Sequence, residues 1–470
     1  MKLVKLLALF SILTFCFSAC ESENLFLIGS SADDNPDTGG DDGQGNTNTF
    51  LGQVAFVKNL GGSRIDEANG IVEAPNGDLL IVGSTNSTDG DITDKTAPDY
   101  DILLTRITPE GDLVWAKTYG GSDDDYGQNI ITTTDGGFAI VGFNASADGD
   151  ATTNAGFFDH WLIKLNANGD IEWQKSYGFE GQDQAFTLIQ TQDGGYFMGG
   201  FLDVDASNGS GNDGVNQTTT PKNNNRHGVG EFWGHKLDAE GNLEFRRYFG
   251  GTNNDRCYAV FETSDNGFIL FGSSESNDFD NQTNKGSYDF WMVKQNAEKN
   301  LEWEQSLGGS EIDMGYGFTA TQDGNYVVAG DTRSPDGDIS NPLGNADFWV
   351  VKTTTTGNII WENTYGGTQF DAARTLIETQ SGKLVVAGSS RSDDGQLTQN
   401  NGQNDAWIII LNSDGSLDKS FNLGGNGIDQ IYGVVETSEK TLYAIGRTNS
   451  TDTFLTNPRG DYDFLIIKIE

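Results

Sequence analysis

Short runs of β-branched and aromatic residues alternate with tight polar turns along most of this chain. In one stretch, apolar runs at residues 138–142, 159–165 and 171–177 are bounded by Asp-Gly-Gly at 135–137, by a long polar loop, and by Asn-Gly-Asp at 168–170. Runs of this length and composition predict β-strands, and the Asp-Gly and Asn-Gly pairs predict hairpin turns. No segment shows a convincing helical period, so an all-β fold is predicted.

This pattern of four predicted strands returns about every 58 residues, and it does so seven times. Repeated four-stranded units of this kind are typical of β-propellers. The sequence therefore predicts a seven-bladed β-propeller with four antiparallel strands in each blade. The predicted blades begin near Gly61, Gly120, Gly178, Gly250, Gly308, Gly366 and Gly424.

The two ends of the repeat region predict that the propeller closes into a ring. Residues 52–60 match the fourth strand of other units, such as residues 111–119, while the last unit ends at Glu470 after its third predicted strand. A leading segment that supplies this missing strand leaves only short, protected sheet edges. We therefore expect the propeller to comprise residues 52–470, with its last blade closed by the N-terminal strand.

Several chemically prominent side chains recur at fixed positions of the repeat, which favours a role in the scaffold. All nine Trp fall at two such positions, and packing between blades explains them better than sugar stacking does. Cys257 occupies a position that is mostly small and apolar in the other units, which indicates a buried structural thiol.

Acidic residues recur in the same way. A first set is predicted to lock turns or join blades, and a functional ring of carboxylates at the channel mouth is the alternative. This set comprises Asp66, Asp125, Asp183, Asp255, Asp313, Asp371 and Asp429. A second set opens the third strand of each unit and comprises Asp101, Asp159, Glu231, Asp289, Asp347, Asp405 and Asp463.

The first 51 residues are predicted to lie outside the propeller. Residues 1–20 combine a charged start, an apolar stretch and a Ser-Ala-Cys ending, and they resemble a bacterial lipoprotein signal peptide with Cys20 as the lipidated residue. Residues 21–51 are acidic and poor in apolar side chains, which predicts a disordered tether. Acyl chains on Cys20 would anchor the protein in a membrane. An unlipidated secreted protein is the alternative.

The chain is strongly acidic, with 69 Asp and Glu against 28 Lys and Arg and a net charge of −41. Such a field repels nucleic acid, so no nucleic-acid partner is expected. The acidic residues that follow Cys20 also resemble the export signals of surface-displayed lipoproteins. The expected location is therefore the outer membrane, with the propeller exposed at the cell surface.

The loops between the second and third strands are the longest, and they share a face with the loops that join one blade to the next. Functional residues concentrate on variable loops of a rigid scaffold, so this long-loop face is the expected binding surface. Closely spaced carboxylates in these loops predict a Ca²⁺ site, while ordinary side-chain turns are the alternative. The candidate ligands are Asp89, Asp91, Asp94, Asp148, Asp150, Asp336 and Asp338.

The third unit differs from the others because it carries about 14 extra residues in its long loop. The insertion contains Lys222, Arg226 and His227, which are basic residues on an otherwise acidic face. We expect this insertion to contribute to ligand specificity, and a tolerated insertion without a role is the alternative.

Catalytic motifs are absent from the sequence. The three His have no metal-ligand spacing, and the sequence contains no nucleophile elbow, phosphate-binding loop or dinucleotide fingerprint. No catalytic residue is therefore assigned, and no cofactor other than Ca²⁺ is expected. A glycosidase or lyase that uses carboxylates at the channel mouth is kept as an alternative function.

The repeat resembles two known kinds of propeller. The hairpin at residues 165–173 is similar to the Gly-x-x-x-Trp hairpin of quinoprotein-type repeats, and the full unit is more similar to secreted bacterial propeller-repeat lipoproteins, many of which have no assigned function. The resemblance covers residues 52–470, concerns the fold and carries no catalytic residues. It does not imply a quinone cofactor, since the repeat is longer and the blade count differs from the eight of those enzymes. We expect a monomeric, membrane-anchored propeller that binds a protein or glycan. A scaffold for envelope assembly that faces the periplasm is a further alternative.

Overall fold

A computed structural model of this chain describes residues 52–214, 228, 230–452, 454–455 and 457–470. The predicted signal peptide with Cys20, the predicted tether, and Lys222, Arg226 and His227 of the insertion lie outside the described residues. The described residues form 28 strands. In this part of the chain, no helix is long and apolar enough to cross a membrane.

The strands of the first half of the chain follow the predicted units closely. The first strand is β1 (Val54–Leu60). Blade 1 contains β2 (Asp66–Glu73), β3 (Leu79–Thr85), β4 (Asp101–Ile107) and β5 (Leu113–Tyr119). Blade 2 contains β6 (Asp125–Thr132), β7 (Phe138–Asn144), β8 (Asp159–Leu165) and β9 (Ile171–Tyr177). Blade 3 contains β10 (Gln184–Gln190), β11 (Tyr196–Leu202), β12 (Glu231–Leu237) and β13 (Leu243–Phe249).

The second half repeats this arrangement to the end of the chain. Blade 4 contains β14 (Asp255–Glu262), β15 (Phe268–Ser274), β16 (Asp289–Gln295) and β17 (Leu301–Leu307). Blade 5 contains β18 (Asp313–Ala320), β19 (Tyr326–Thr332), β20 (Asp347–Thr353) and β21 (Ile359–Tyr365). Blade 6 contains β22 (Asp371–Glu378), β23 (Leu384–Ser390), β24 (Asp405–Leu411) and β25 (Leu417–Leu423). Blade 7 contains β26 (Asp429–Glu436), β27 (Leu442–Thr448) and β28 (Asp463–Ile469).

The predicted seven-bladed β-propeller is confirmed. The strands form seven four-stranded sheets, and neighbouring strands in every sheet are antiparallel. The first strands of successive blades pack against one another, so they form the wall of the central channel. Each fourth strand lies at the outer edge of its sheet.

The N-terminal strand closes the ring as predicted. β1 pairs with β28 in antiparallel register, with Val57 opposite Ile467 and Leu60 opposite Phe464. The backbone N–H of Gln53 also donates to the carbonyl oxygen of Glu470 at 2.9 Å, which extends the ladder beyond the strands. Blade 7 is therefore built from both ends of the propeller segment.

Packing between blades explains the tryptophans of the third strands. Trp161, Trp233, Trp291, Trp349 and Trp407 are fully buried. A phenylalanine of the preceding blade contacts three of these rings, with centroid separations of 4.4 to 4.7 Å. Large rings at one repeat position therefore fill the space between sheets, as the periodicity predicts. Cys257 is likewise buried on β14, and burial raises the pKa of its thiol to about 12.

Every first strand contains a β-bulge at the same place, three residues after its opening acidic position. In β2 the register with β3 shifts between Ala68 and Gly70, so Asn69 is the extra residue. A β-bulge re-aims the side chain of its extra residue. The equivalent bulge residues of blades 2 to 7 are Gln128, Phe186, Tyr258, Tyr316, Arg374 and Tyr432.

Candidate functional site

The long-loop face is held together by carboxylates that capture backbone N–H groups. The loop that joins one blade to the next, termed here the Gly-Gly loop, presents three successive N–H donors to three different acidic side chains. In blade 1 the donors Gly61, Gly62 and Ser63 pair with the acceptors Asp91, Asp66 and Asp89 at 3.1, 2.8 and 2.7 Å. The same arrangement recurs in blade 5 around Gly308. Charge-assisted hydrogen bonds of this kind fix the loop geometry.

All of the aspartates predicted as calcium ligands accept a backbone N–H. The aspartates of the first long loop accept the N–H groups of Ser63, Gly61 and Thr118. The aspartates of blades 2 and 5 accept N–H groups from the Gly-Gly loops of their own blades. Among the described residues, no group of three or more His, Cys, Asp or Glu is arranged to hold a metal ion. The loops bring these carboxylates to one face but do not gather them into a multi-carboxylate cluster.

In two of the candidate loops, an aspartate forms an ion pair with a basic side chain of the neighbouring blade. Arg459 of blade 7 lies 2.6 Å from Asp91 of blade 1, and Lys285 of blade 4 forms an ion pair with Asp338 of blade 5. Each basic residue lies four positions before the acid that opens its third strand. The pairs therefore link neighbouring blades through carboxylates that were candidate calcium ligands.

At the junction of blades 5 and 6, both positions of this ion pair are neutral. Blade 6 has Gln396 where blades 1 and 5 have Asp91 and Asp338, and blade 5 correspondingly has Leu343 where Arg459 and Lys285 lie in their blades. A neutral residue thus faces a neutral residue, which avoids an unpaired charge at the junction. At the junction of blades 1 and 2 only the acid is kept, because Ala97 occupies the basic position opposite Asp150.

The first set of repeat acids lies at the centre of a buried hydrogen-bond network. The side chain of Asp313 is fully buried, and its carboxylate accepts the Thr332 hydroxyl at 2.5 Å, the Gly309 N–H at 2.7 Å and the Ser334 hydroxyl at 2.9 Å. Comparable networks surround Asp66, Asp255, Asp371 and Asp429. The acid joins the Gly-Gly loop to the end of the second strand.

Blade 3 keeps the acid of this network but lacks its hydroxyl donors. Asp183 accepts the backbone N–H groups of Phe179 and Asp203, while Leu202 and Val204 occupy the positions of the two hydroxyl residues. Burial raises the pKa of Asp183 to about 7. The two blades therefore provide a matched pair for testing what the hydroxyls contribute.

We expect Asp313→Ala to destabilise the protein by about 3–5 kcal/mol, because it leaves three buried donors without an acceptor. Asp183→Ala should cost about 2 kcal/mol less, since no hydroxyl loses its partner there. Urea unfolding of the full chain, followed by circular dichroism, measures both changes. Equal losses in the two variants would show that the hydroxyl bonds add nothing.

The second set of acids faces the first set across the junctions between blades. A Cβ atom at Gly308 would lie 2.4 Å from Oδ1 of Asp289 and 2.6 Å from Oδ2 of Asp313, so only glycine fits between the two carboxylates. Burial, together with the nearby charge of Asp313, raises the pKa of Asp289 to about 7. Oδ1 of Asp289 accepts no hydrogen bond from the described residues. The same holds for Oδ1 of Asp101, Asp159, Asp347 and Asp405.

The channel wall departs from seven-fold symmetry at the bulge positions. Blades 4 and 5 present Tyr258 and Tyr316 there, whose ring centroids lie 4.9 Å apart. The guanidinium carbon of Arg374 on blade 6 lies 4.1 Å from the centroid of the Tyr316 ring, within cation–π distance. Tyr432 follows on blade 7 and donates its hydroxyl to Gln430 at 2.9 Å.

Two further arginines complete this surface. Arg447 on β27 forms an ion pair with Glu67, and its guanidinium carbon lies 5.8 Å from the Tyr432 ring centroid. Arg256 on β14 lies 4.6 Å from the Phe201 ring and forms no ion pair with any described residue. We term this set the Tyr–Arg cluster, and it comprises Tyr258, Tyr316, Tyr432, Arg256, Arg374 and Arg447.

All six side chains of the Tyr–Arg cluster are partly exposed on the inner side of the ring. The sequence pattern did not predict this cluster. Strand pattern and turn residues do not reveal a bulge, so the outward or inward direction of a bulge residue cannot be read from alternation alone. One signal was present nevertheless, because this position carries Asn, Gln, Phe, Tyr or Arg while the position before it is mostly small and apolar.

An aromatic path continues from the Tyr–Arg cluster toward the first blades. Phe186 lies 5.1 Å from Tyr258, and Phe143 lies 6.4 Å from Phe186, measured between ring centroids. Tyr126 and Tyr100 extend the path with separations of 5.0 and 5.1 Å. Rings at these distances form one apolar surface along the wall. The long-loop mouth is therefore lined unevenly by aromatic and cationic groups.

Cavities also occur on the opposite face, where the short turns lie. One of about 450 Å³ is lined by residues of β18, β22 and β26, including Glu378 and Glu436. These two carboxylates accept the backbone N–H groups of Gln322 and Gln380 in the neighbouring blades. The acidic groups of this cavity therefore hold adjacent turns together.

Two of the three histidines meet inside the propeller, which the sequence spacing did not indicate. The rings of His160 on β8 and His235 on β12 lie 5.0 Å apart and are fully buried. Burial lowers the pKa of His160 to about 3 and that of His235 well below its usual value, so both are neutral. The pair belongs to the core between blades 2 and 3.

Comparison with known proteins supports the fold. Residues 379–421 match the model of a β-propeller domain family of unknown function, DUF5122. A protein of Caulobacter vibrioides, "Regulatory protein FlaEY", is 25% identical over 305 residues, which cover 61% of this chain and 32% of that protein. The chain thus spans about a third of the length of this relative.

Solved structures of low sequence identity are also similar to this chain. The WD40 β-propeller domain of Doa1 matches with a TM-score of 0.50 and 11% identity, over 89% of this chain and 97% of that one. BamB from Moraxella catarrhalis matches with a TM-score of 0.36 and 13% identity, over 88% of this chain and all of the other. At these identities the likeness concerns the fold alone.

Proposed function

We propose that this protein is a surface-exposed lipoprotein of the bacterial outer membrane that binds a protein or glycan through its long-loop face and catalyses no reaction. The Tyr–Arg cluster is the observation that carries the proposal. It breaks the seven-fold repeat at positions where a β-bulge re-aims the side chains, and binding sites are built from such departures on a rigid scaffold.

A binding role accounts for the cluster better than hydrolysis does. Aromatic and guanidinium groups that remain partly exposed are typical of recognition surfaces. A carboxylate-based glycosidase needs two acids beside the substrate. The repeat acids described above instead accept backbone N–H groups or hydroxyls at equivalent places in several blades. Hydrolysis nevertheless remains an outcome that the experiment below can detect.

Lipidation of Cys20 and calcium belong to the same proposal. Cys20 would hold the propeller on the membrane through its acyl chains. Calcium would assist binding at the long loops, and the loop of Asp148 and Asp150 is the best candidate, since neither aspartate forms an ion pair with a described basic residue. Those two carboxylates would need backbone carbonyl or water ligands to complete a calcium site.

We expect cells that display the full chain to bind a defined subset of a glycan array or of envelope proteins, without release of sugar. Binding should vanish from intact cells after protease treatment and in the Cys20→Ser variant, because both remove the propeller from the surface. A chelator should weaken binding if calcium assists it. Released sugar would indicate the glycosidase or lyase, and protease resistance on intact cells would indicate a scaffold that faces the periplasm.

A further inference from the structure

We infer that the ligand of the Tyr–Arg cluster is an acidic glycan, a chain of sugar rings that carry carboxylates; this inference rests on the proposed binding function. Two guanidinium groups of the cluster form an ion pair, Arg374 with Asp331 and Arg447 with Glu67, whereas Arg256 forms none with a described residue. The chain as a whole has a net charge of −41. A locally positive site in so acidic a protein attracts anions to one place and repels them elsewhere.

The arginines retain hydrogen-bonding capacity for a ligand. Arg374 donates from one nitrogen, Nη1, to Asp331 at 2.9 Å and to the backbone of Ala373 at 3.1 Å. Asp331 is almost fully buried behind it, whereas about a quarter of the Arg374 side chain is exposed. A guanidinium carries five N–H donors in a planar fork that matches a carboxylate. Arg256, which forms no ion pair with a described residue, is the most available of the three.

The tyrosines supply the second half of the recognition. Tyr258 and Tyr316 lie side by side and partly exposed, with an angle of 44° between their rings. An aromatic face offers an apolar surface on which the C–H face of a sugar ring packs. Burial raises the pKa of Tyr258 well above its usual value, so its hydroxyl stays a neutral donor for sugar oxygens. The Tyr432 hydroxyl already donates to Gln430, so its oxygen can accept from a sugar hydroxyl.

The position of the cluster favours a narrow chain over a folded protein. Its bulge residues lie on the first strands, which form the channel wall, so the groups face inward from the ring. The surface of a globular partner contacts the rim of such a channel, whereas a glycan chain can enter it. Rings for stacking beside guanidinium groups for carboxylates together complement a uronic-acid polymer.

The test uses the purified full chain and a uronic-acid oligosaccharide, with a neutral oligosaccharide of the same length and polyglutamate as comparison ligands. We expect the uronate to bind at least about tenfold more tightly than the neutral sugar, with affinity that falls as salt rises. Arg256→Gln should weaken uronate binding about tenfold, because it removes a charge-assisted hydrogen bond. Its melting temperature should change little, since no described acid loses a partner and only the contact with the Phe201 ring is lost.

Arg64→Gln is the matched control, because Arg64 is exposed on the Gly-Gly loop of blade 1, outside the cluster, and the variant has the same change in charge. Tyr258→Leu should weaken uronate and neutral sugar alike. Equal loss in Arg256→Gln and Arg64→Gln, or equal binding of polyglutamate, would overturn the inference. Binding of neutral sugars or of a protein alone would also overturn it while leaving the proposed function standing.

Discussion

A chain that begins at residue 61 is expected to lose most of the stability of one that begins at residue 52. The longer chain keeps β1, which pairs along its length with β28, and the shorter one leaves β28 as an open edge. Most side chains of β28 are buried. Leu60 and Phe56 of β1 pack in the core between blades 7 and 1, and Val57 packs against the core between blades 6 and 7. The loss should exceed about 5 kcal/mol, which is comparable with the whole stability of many domains.

Thermal and urea unfolding of both chains measure this effect. A substitution provides a control for the role of β1, because Leu60→Asp disturbs the same junction without shortening the chain. Val114→Asp on β5 is the matched neutral case, since it lies on another fourth strand and half of its surface is exposed. Equal melting temperatures for the two chain lengths would contradict closure of the ring by β1.

The second large effect is the dependence of stability on pH. We expect the protein to lose stability as pH rises, whereas ordinary acid unfolding is a loss of stability as pH falls. Asp289 has a usual pKa of 3.8 that burial raises to about 7 in the folded protein, and burial raises the pKa of Asp159 and Asp347 to about 6. Such an acid binds its proton more tightly when the chain is folded. Its contribution to stability is therefore complete below pH 3.8 and is lost as pH rises through 6 to 7.

Titratable groups with lowered pKa values have the opposite effect, because their contribution to stability is lost as pH falls. The neutral pair His160 and His235 loses its contribution as pH falls below 6.5, since burial lowers both pKa values. Asp323 accepts hydrogen bonds from Lys352 and Thr321, which lower its pKa and preserve its contribution at moderate acidity. The buried acids outnumber the two histidines, so we expect the melting temperature to be about 5 °C or more higher at pH 5 than at pH 8.

The Asp289→Asn variant tests the buried carboxylate pair of Asp289 and Asp313. The amide resembles the protonated acid in shape and carries no charge. We expect the variant to lose part of the decline between pH 5 and pH 8, and to be at least as stable as the parent protein at pH 8. Asp112→Asn is the control, since that side chain is largely exposed. Parallel profiles for the parent and Asp289→Asn would show that the pair does not titrate in this range.

The repeat determined the architecture without any structural information. The sequence has seven units of four short strands, with a spare strand at one end and a missing strand at the other. Only a closed ring pairs the spare strand with the incomplete sheet. The structure bears this out down to the pairing of Val57 with Ile467. The periodicity predicts the fold because each blade buries its sheet against the next with the same pattern of residues.

Only the tertiary structure shows where the side chains point and which of them are neighbours. The bulge that aims Tyr316 and Arg374 at the channel shifts the strand register by one residue, and alternation of apolar and polar positions does not show where such a shift falls. The pairing of Arg459 with Asp91 joins residues from the two ends of the chain, which only ring closure brings together. The sequence by itself thus determined which residues build the blades, while the folded ring decided which of the remaining side chains meet, because contact between distant residues depends on the closed geometry.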